Sequence, residues 1–237
     1  MLYSYQASPK KRGGLHVQIT KKIDEIKRPI LRGRDIKRYG YKYADLWLIN
    51  VHNGIRETGV KPIEINDFPA IKDHLDTFYK QIEKRSDMGI TPYNLRNCAY
   101  MDDFSRQKLI WIELADKGRF AFDDQKYMTL NGTFIMTGKD LEFICSVLNN
   151  PISSWHFNTF CISSGVGTNQ WRELYVRELF IPNFSDEQQK QIIDLFYEIM
   201  TLEKQQKPIV QKQKELDFLI YERLSLTGEE IDFIESQ

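Results

Sequence analysis

Cysteine is scarce in this 237-residue chain: Cys98, Cys145 and Cys161 stand far apart and no C-x-x-C pair occurs. That leaves neither a disulfide framework nor a zinc knuckle to read, and each thiol is expected to be buried or half-buried. No apolar run approaches the roughly 20 residues of a membrane span, and no apolar core precedes a small-residue cleavage site at the N-terminus, so a cytoplasmic location without membrane contact is expected. Net charge is absent as well, with 33 Lys+Arg against 33 Asp+Glu. The zero conceals segregation, because residues 1–46 hold twelve Lys/Arg and only four Asp/Glu. Charge of one sign gathered in one stretch is what a polyanion-binding face requires, although a merely solvated basic tail shows it too. The run PILRGRDIKRYG at 29–40 concentrates it, with Arg32, Arg34, Lys37 and Arg38 within twelve residues.

Catalytic signatures are equally scarce. A base-modifying methyltransferase needs a glycine-rich cofactor turn after a strand and an (Asp/Asn/Ser)-Pro-Pro-(Tyr/Phe) motif for the flipped base. The nearest string, Asn150-Pro151-Ile152-Ser153, lacks the second proline and the aromatic, and reads as a helix boundary. Gly165 and Gly167 lie in a loop with no suitable preceding strand, and neither a P-loop nor a nucleophile elbow exists. Metal-dependent nuclease chemistry wants two acids and a lysine on adjacent strands to hold a cation and activate water. Asp103, Glu113, Asp124 and Lys126 are the only set to weigh, and Ala115 stands where the acid-x-Lys pattern wants lysine. The four histidines have no metal-ligand spacing. No catalytic residue, metal ligand or cofactor site is expected in this chain.

With 41% hydrophobic residues the chain can bury one large core or two small ones. LWLINV at 46–51 reads as a buried strand ending in the Asn53-Gly54 turn. Ile71, Leu75, Phe78, Tyr79 and Ile82 recur at helical spacing and predict one helix over 68–87, with Asp67 as cap and Pro69 in the first turn. KLIWIEL, RFAFD and TFIMTG, separated by turn residues, predict antiparallel strands. Helices are expected over 140–148 and, beyond Asn150-Pro151, through Trp155 and Phe160. A loop is expected at 163–171 and an extended run at 176–184. Ser185 with Gln188 forms a capping box for a long helix carrying Ile192, Phe196, Ile199 and Met200, and Thr227 with Glu230 opens another. The polar stretch 204–214, broken at Pro208, is expected to project or to lie against another chain.

Three ordered segments carry a resemblance: PILRGRDIKRYGYKYADLWLI, then DFPAIKDHLDTFYKQIEKRSDMGITPYNLRNCAYMDDFSRQKLIWIEL, then TFIMTGKDLEFICSVLNNPI. Together they resemble the C-terminal TaqI-like target-recognition domain of type II restriction-modification enzymes and adenine-specific DNA methyltransferases. ELFIPNFSDEQQKQIIDLF and YERLSLTGEEIDFIE are similar to the segments that follow such domains. The resemblance implies a non-catalytic DNA-specificity module that binds double-stranded DNA and positions an adenine-N6 methyltransferase or endonuclease, in the same polypeptide or a partner subunit. S-adenosylmethionine and Mg would belong to those domains. The chain would then be a fragment, a separate specificity component or a truncated product. The alternatives are a type I-like specificity subunit docking a methyltransferase through its helices, and a stand-alone metal-dependent nuclease.

The expected fold is α+β: a mixed-sheet recognition domain at 29–183 with packed helices, preceded by a basic junction at 1–28 and followed by a helical segment at 184–237. Arg32, Arg34, Lys37 and Arg38 are the candidates for phosphate, with an Arg34–Asp35 ion pair as the rival use of that pair. Base reading is assigned to two polar loops: Tyr93, Asn94 and Arg96 in TPYNLRN (91–97), and Asn169, Gln170, Trp171 and Arg172 in TNQWRE (168–173). Asn and Gln pair with adenine, Arg pairs with guanine, and aromatics stack on bases. Tyr93 and Trp171 could instead anchor their own loops.

Overall fold

The structure is a computed structural model that describes residues 23–161 and 167–237, so the basic segment 1–22 and Gly165 fall outside the described residues. The chain divides into two compact units, one of residues up to Ile30 with Asp45–Ser105, the other of Leu31–Ala44 with Arg106–Gln237.

In the first unit a helical turn at 23–26 leads into β1 (Lys27–Leu31), whose residues Lys27, Arg28 and Pro29 pair antiparallel with Ile49, Leu48 and Trp47 of β2 (Trp47–Ile49). A small core of Ile26, Val51, Ile65, Ile71, Leu75 and Ile82 holds it together. The helix expected over 68–87 is broken into α1 (Pro69–Asp76) and α2 (Tyr79–Ile82). Its apolar periodicity persists through the break, but the Thr77 hydroxyl donates to the His74 carbonyl and the Phe78 N–H bonds Leu75 three residues back, which tightens the turn. Phe68, not Asp67, is the N-cap, and Asp67 closes a preceding 3-10 turn, while Pro69 sits in the first turn where its missing N–H costs nothing.

The second unit is built on β3 (Lys108–Ile112). After a two-residue strand β4 (Leu114–Ala115), the chain returns as β5 (Ala121–Asp123), β6 (Met128–Thr129) and β7 (Thr133–Met136). β3 lies between β5 and β7 and pairs antiparallel with both, while the bridge from Tyr39 to Ala121 is parallel. Its residues alternate between two cores: Leu109 and Trp111 join the large helical core, Ile110 the cluster of Leu31, Ile36 and Ala121. A strand covered on both faces reads as a continuous apolar run, which is why LIWI shows no polar alternation.

The large core is closed by α3 (Leu141–Asn149), α4 (Pro151–Asn158) and α6 (Asp186–Lys204), with β8 (Asn169–Gln170) and the one-turn α5 (Glu173–Val176) between the last two. That turn interrupts the extended run expected at 176–184 at its first residue, and β8, pairing with β4, occupies part of the expected loop. The Ser185 hydroxyl accepts from Gln188 N–H and the Gln188 side chain accepts from Ser185 N–H, so the capping box is complete. Residues 204–214 do not project. The chain breaks at 205–209, around Pro208, and α7 (Val210–Arg223) returns along α6 with Leu216 and Ile220 fully buried. Lys212 near the start of α7 reaches Glu198 late in α6, and Arg223 at its end reaches Gln191 early in α6, so the two run antiparallel. Apolar positions hidden among lysines and glutamines decide that return. A second capping box at Thr227 starts α8 (Gly228–Glu235), which packs on α4. Among the described residues no helix is long and apolar enough to cross a membrane.

Candidate nucleic-acid interface

The basic run at 32–38 is sorted by its own geometry. The Arg32 guanidinium forks onto Asp35, Nε donating at 3.0 Å and Nη2 at 2.8 Å, while Arg32 N–H donates to the same carboxylate at 2.9 Å. The internal ion pair of this turn is therefore Arg32–Asp35, not Arg34–Asp35. Three residues of separation across a 3-10 turn bring the fork onto the carboxylate, whereas adjacent side chains diverge. Arg38 is also withdrawn, its Nη2 donating to both Asp217 oxygens at 2.9 and 3.0 Å and to the Asn149 carbonyl at 2.7 Å. Burial pushes the Asp217 carboxyl up and the Arg38 charge draws it down, with a net upward shift. Arg34 and Lys37 remain exposed, and neither makes an ion pair to an acidic side chain among the described residues.

Burial works against ionisation of Asp35, but hydrogen bonds from the Arg32 side chain and backbone and the charges of Arg32 and Arg34 outweigh it, so its carboxyl lies below the ordinary range. The unfolded chain then takes up this proton at higher pH than the folded one. Stability from the carboxylate is complete above the ordinary aspartate range and is lost as pH falls through the lowered value. Urea unfolding between about pH 6 and about pH 3 is expected to show a smaller loss in Asp35→Asn than in wild type; equal losses would contradict it.

Around β8 the residues separate in the same way. Trp171 is buried, its ring stacked on Phe157 at 3.8 Å and 5° and edge-on to Phe120, with Nε1 donating to the Ala115 carbonyl at 3.3 Å. Gly118 permits this approach, since a Cβ there would lie 2.7 Å from the indole. Trp171 is thus a core residue, which corrects its reading as a base-stacking side chain. Asn169 Nδ2 donates to Asn158 Oδ1 at 2.6 Å, Gln170 is half-buried opposite Leu114, and exposed Arg172 reaches Glu113 at 2.9 Å. The Arg34 turn approaches the same β3–β4 segment, because a Cβ on Gly33 would meet Ile112 at 3.2 Å. Within this unit, then, the Arg172–Glu113 pair and the polar pair Asn169–Gln170 lie along residues 113–115, and the turn that carries Arg34 meets the same segment through Gly33 at Ile112.

In the first unit, Asn94 is 2% exposed and spends its amide on the His52 and Ile63 carbonyls, at 3.3 and 3.0 Å, while accepting from the Thr91 hydroxyl. It holds the loop and has no group left for a base edge, a second correction. Tyr93 donates to Asp76 and lies under Lys72, and Arg96 is exposed. Asn53 and Arg85 tie this loop from outside it; in sequence Asn53-Gly54 is legible only as a turn, and nothing local marks Arg85. Of the set weighed for nuclease chemistry, Glu113 is paired with Arg172 and Asp124 with Lys204, and among the described residues no three His, Cys, Asp or Glu converge as metal ligands. Cys145 is buried and the other two cysteines half-buried, and burial pushes all three thiols up.

The sequence model of the TaqI-like C-terminal specificity domain matches residues 28–181. The chain belongs to this family. No curated protein matches the chain in sequence. Among solved structures it is similar to the type IIL restriction-modification enzyme MmeI in complex with DNA, with a TM-score of 0.61 and 13% identity. The match covers 90% of this chain and 30% of MmeI, so the chain spans less than a third of that enzyme, and at this identity the likeness is one of fold. The match supports an α+β architecture for the TaqI-like domain together with its C-terminal helices.

Proposed function

We propose that this chain is the DNA sequence-specificity module of a restriction-modification system, binding duplex DNA and positioning an adenine-N6 methyltransferase or endonuclease located elsewhere. The observation that carries the reading is the sorting of charge at 32–38: Arg32 and Arg38 are consumed inside the fold while Arg34 and Lys37 face solvent. Family membership and the DNA-bound state of MmeI support it. In this reading Arg34 and Lys37 set the module on phosphates, and Asn169 and Gln170 lie within reach of the same groove. Catalysis, S-adenosylmethionine and Mg belong to other domains. The docking alternative loses its projecting arm, because α7 is folded back on α6.

Duplex binding is expected to weaken steeply with salt, and Arg34→Ala with Lys37→Ala to reduce the log–log slope by about two, at roughly 0.9 per phosphate contact. Electrophoretic mobility shift or fluorescence anisotropy across a salt series measures it. No binding at low salt, or equal affinity for heparin and every duplex, would sink the reading.

A further inference from the structure

Loop 88–97 is more rigid than its glycine, proline and asparagine content suggests. Met88 and Leu95 form an antiparallel bridge, and Gly89 N–H donates to the Asn94 carbonyl at 2.9 Å. Leu95 N–H donates to the Val51 carbonyl at 2.8 Å, and the buried Asn94 amide fastens the interior as described above. From one side Asn53 Oδ1 accepts the Ile90 N–H at 2.7 Å while its amide bonds Asn97. From another, Arg85 Nη2 donates to the Pro92 and Asn94 carbonyls at 3.1 and 2.8 Å. Gly89 is required here, since a Cβ would strike Asn53 Oδ1 at 2.5 Å and the Leu95 carbonyl at 2.6 Å.

A loop so tied presents its outward side chains in a fixed geometry, and two of them, Met88 and Ile90, are apolar where loop tips are usually polar. Ile90 is 67% exposed and Met88 38%. Beside them Arg96 is exposed and makes no ion pair among the described residues. A rigid apolar tip next to an uncompensated cation complements a surface that offers both phosphate and an apolar group. In duplex DNA the apolar group on a major-groove base edge is the thymine C5-methyl.

We propose that Ile90 is a specificity-determining residue that reads a thymine methyl, with Asn53 and Arg85 as its positioning residues and Arg96 on a neighbouring phosphate. This rests on the duplex-binding function proposed above. Asn94, the residue in this loop best suited by type to pair with adenine, instead makes the tip rigid.

The test begins by selecting a bound site from a random duplex library with the full chain, then replacing each thymine of that site in turn by deoxyuridine, which pairs identically but lacks the methyl. At one position the replacement is expected to weaken wild-type binding about four-fold, the value of one buried methyl-sized group. Ile90→Ala, at an exposed position that tolerates it, is expected to bind thymine and uracil there equally while other positions keep their preferences. Asn53→Ala is expected to lower the thymine-to-uracil ratio at that same position. Uracil tolerated at every position, a selected site without thymine, or a ratio unchanged in Ile90→Ala overturns the Ile90 assignment and leaves duplex binding standing. Absence of any enriched duplex at low salt overturns both.

Discussion

Replacing Asp123 with alanine is expected to destabilise the second unit by about 3–5 kcal/mol, the usual result of removing one partner from a buried ion pair. Asp123 and Lys108 are both 0% exposed and in contact, at 2.5 Å between Lys108 Nζ and Asp123 Oδ2. The carboxylate also accepts from the Tyr41 hydroxyl at 2.9 Å and from the backbone N–H of Gln125 and Tyr127 at 2.9 and 3.0 Å. Burial, with the neighbouring Asp123 charge, pushes the Tyr41 hydroxyl well up, so it stays a donor. Alanine would leave the buried Lys108 ammonium without this carboxylate and unfasten the turn at 124–127 together. Lys108→Met combined with Asp123→Asn removes both charges and keeps an acceptor for the turn, and is expected to recover a large part of the loss. Urea denaturation followed by tryptophan fluorescence measures both; a single-variant loss under about 1 kcal/mol would show that the pair is not sealed from water.

Trp171→Ala is expected to cost about 3–5 kcal/mol, as large-to-small changes at buried aromatic positions do. Besides its stack on Phe157, Trp171 fastens β3, β4 and the residue between them: its N–H donates to the Glu113 carbonyl at 2.6 Å, its carbonyl accepts from Trp111 Nε1 at 2.7 Å, and its indole reaches Ala115. Trp171→Phe keeps the stacking surface and loses the indole hydrogen bond, so a loss nearer 1 kcal/mol is expected. Thermal unfolding separates the two. If Trp171 instead stacked on a base, alanine would leave stability unchanged and lower DNA affinity alone.

Most of the secondary structure was legible because its signals are local. The Ser185 and Thr227 capping boxes place their donors and acceptors three residues apart, and Asn150 with Pro151 marks a helix start through its side-chain oxygen and a missing N–H. β3, β5 and β7 are apolar runs set between turn residues. The helix over 68–87 misled because Phe78 continues an apolar stripe across a break made by hydrogen bonding, which periodicity does not register. The amphipathic stripe of α7 was obscured by its lysines and glutamines until Leu216 and Ile220 met α6 and the core.

The candidate interface was legible as a set of residue types, not as a surface. By itself the sequence determined the capped helices, the strand-rich middle, the basic run and the ordered segments that place the chain in its family, since each is written in neighbouring residues. Tertiary structure alone decided which of those groups remain available at the surface. Arg38 is taken by Asp217 from 179 positions away, Arg172 pairs with Glu113 across 59, and Asn94 is spent on carbonyls 42 and 31 residues distant. A side chain's availability depends on the partners that folding brings to it, and these partners are remote in the chain.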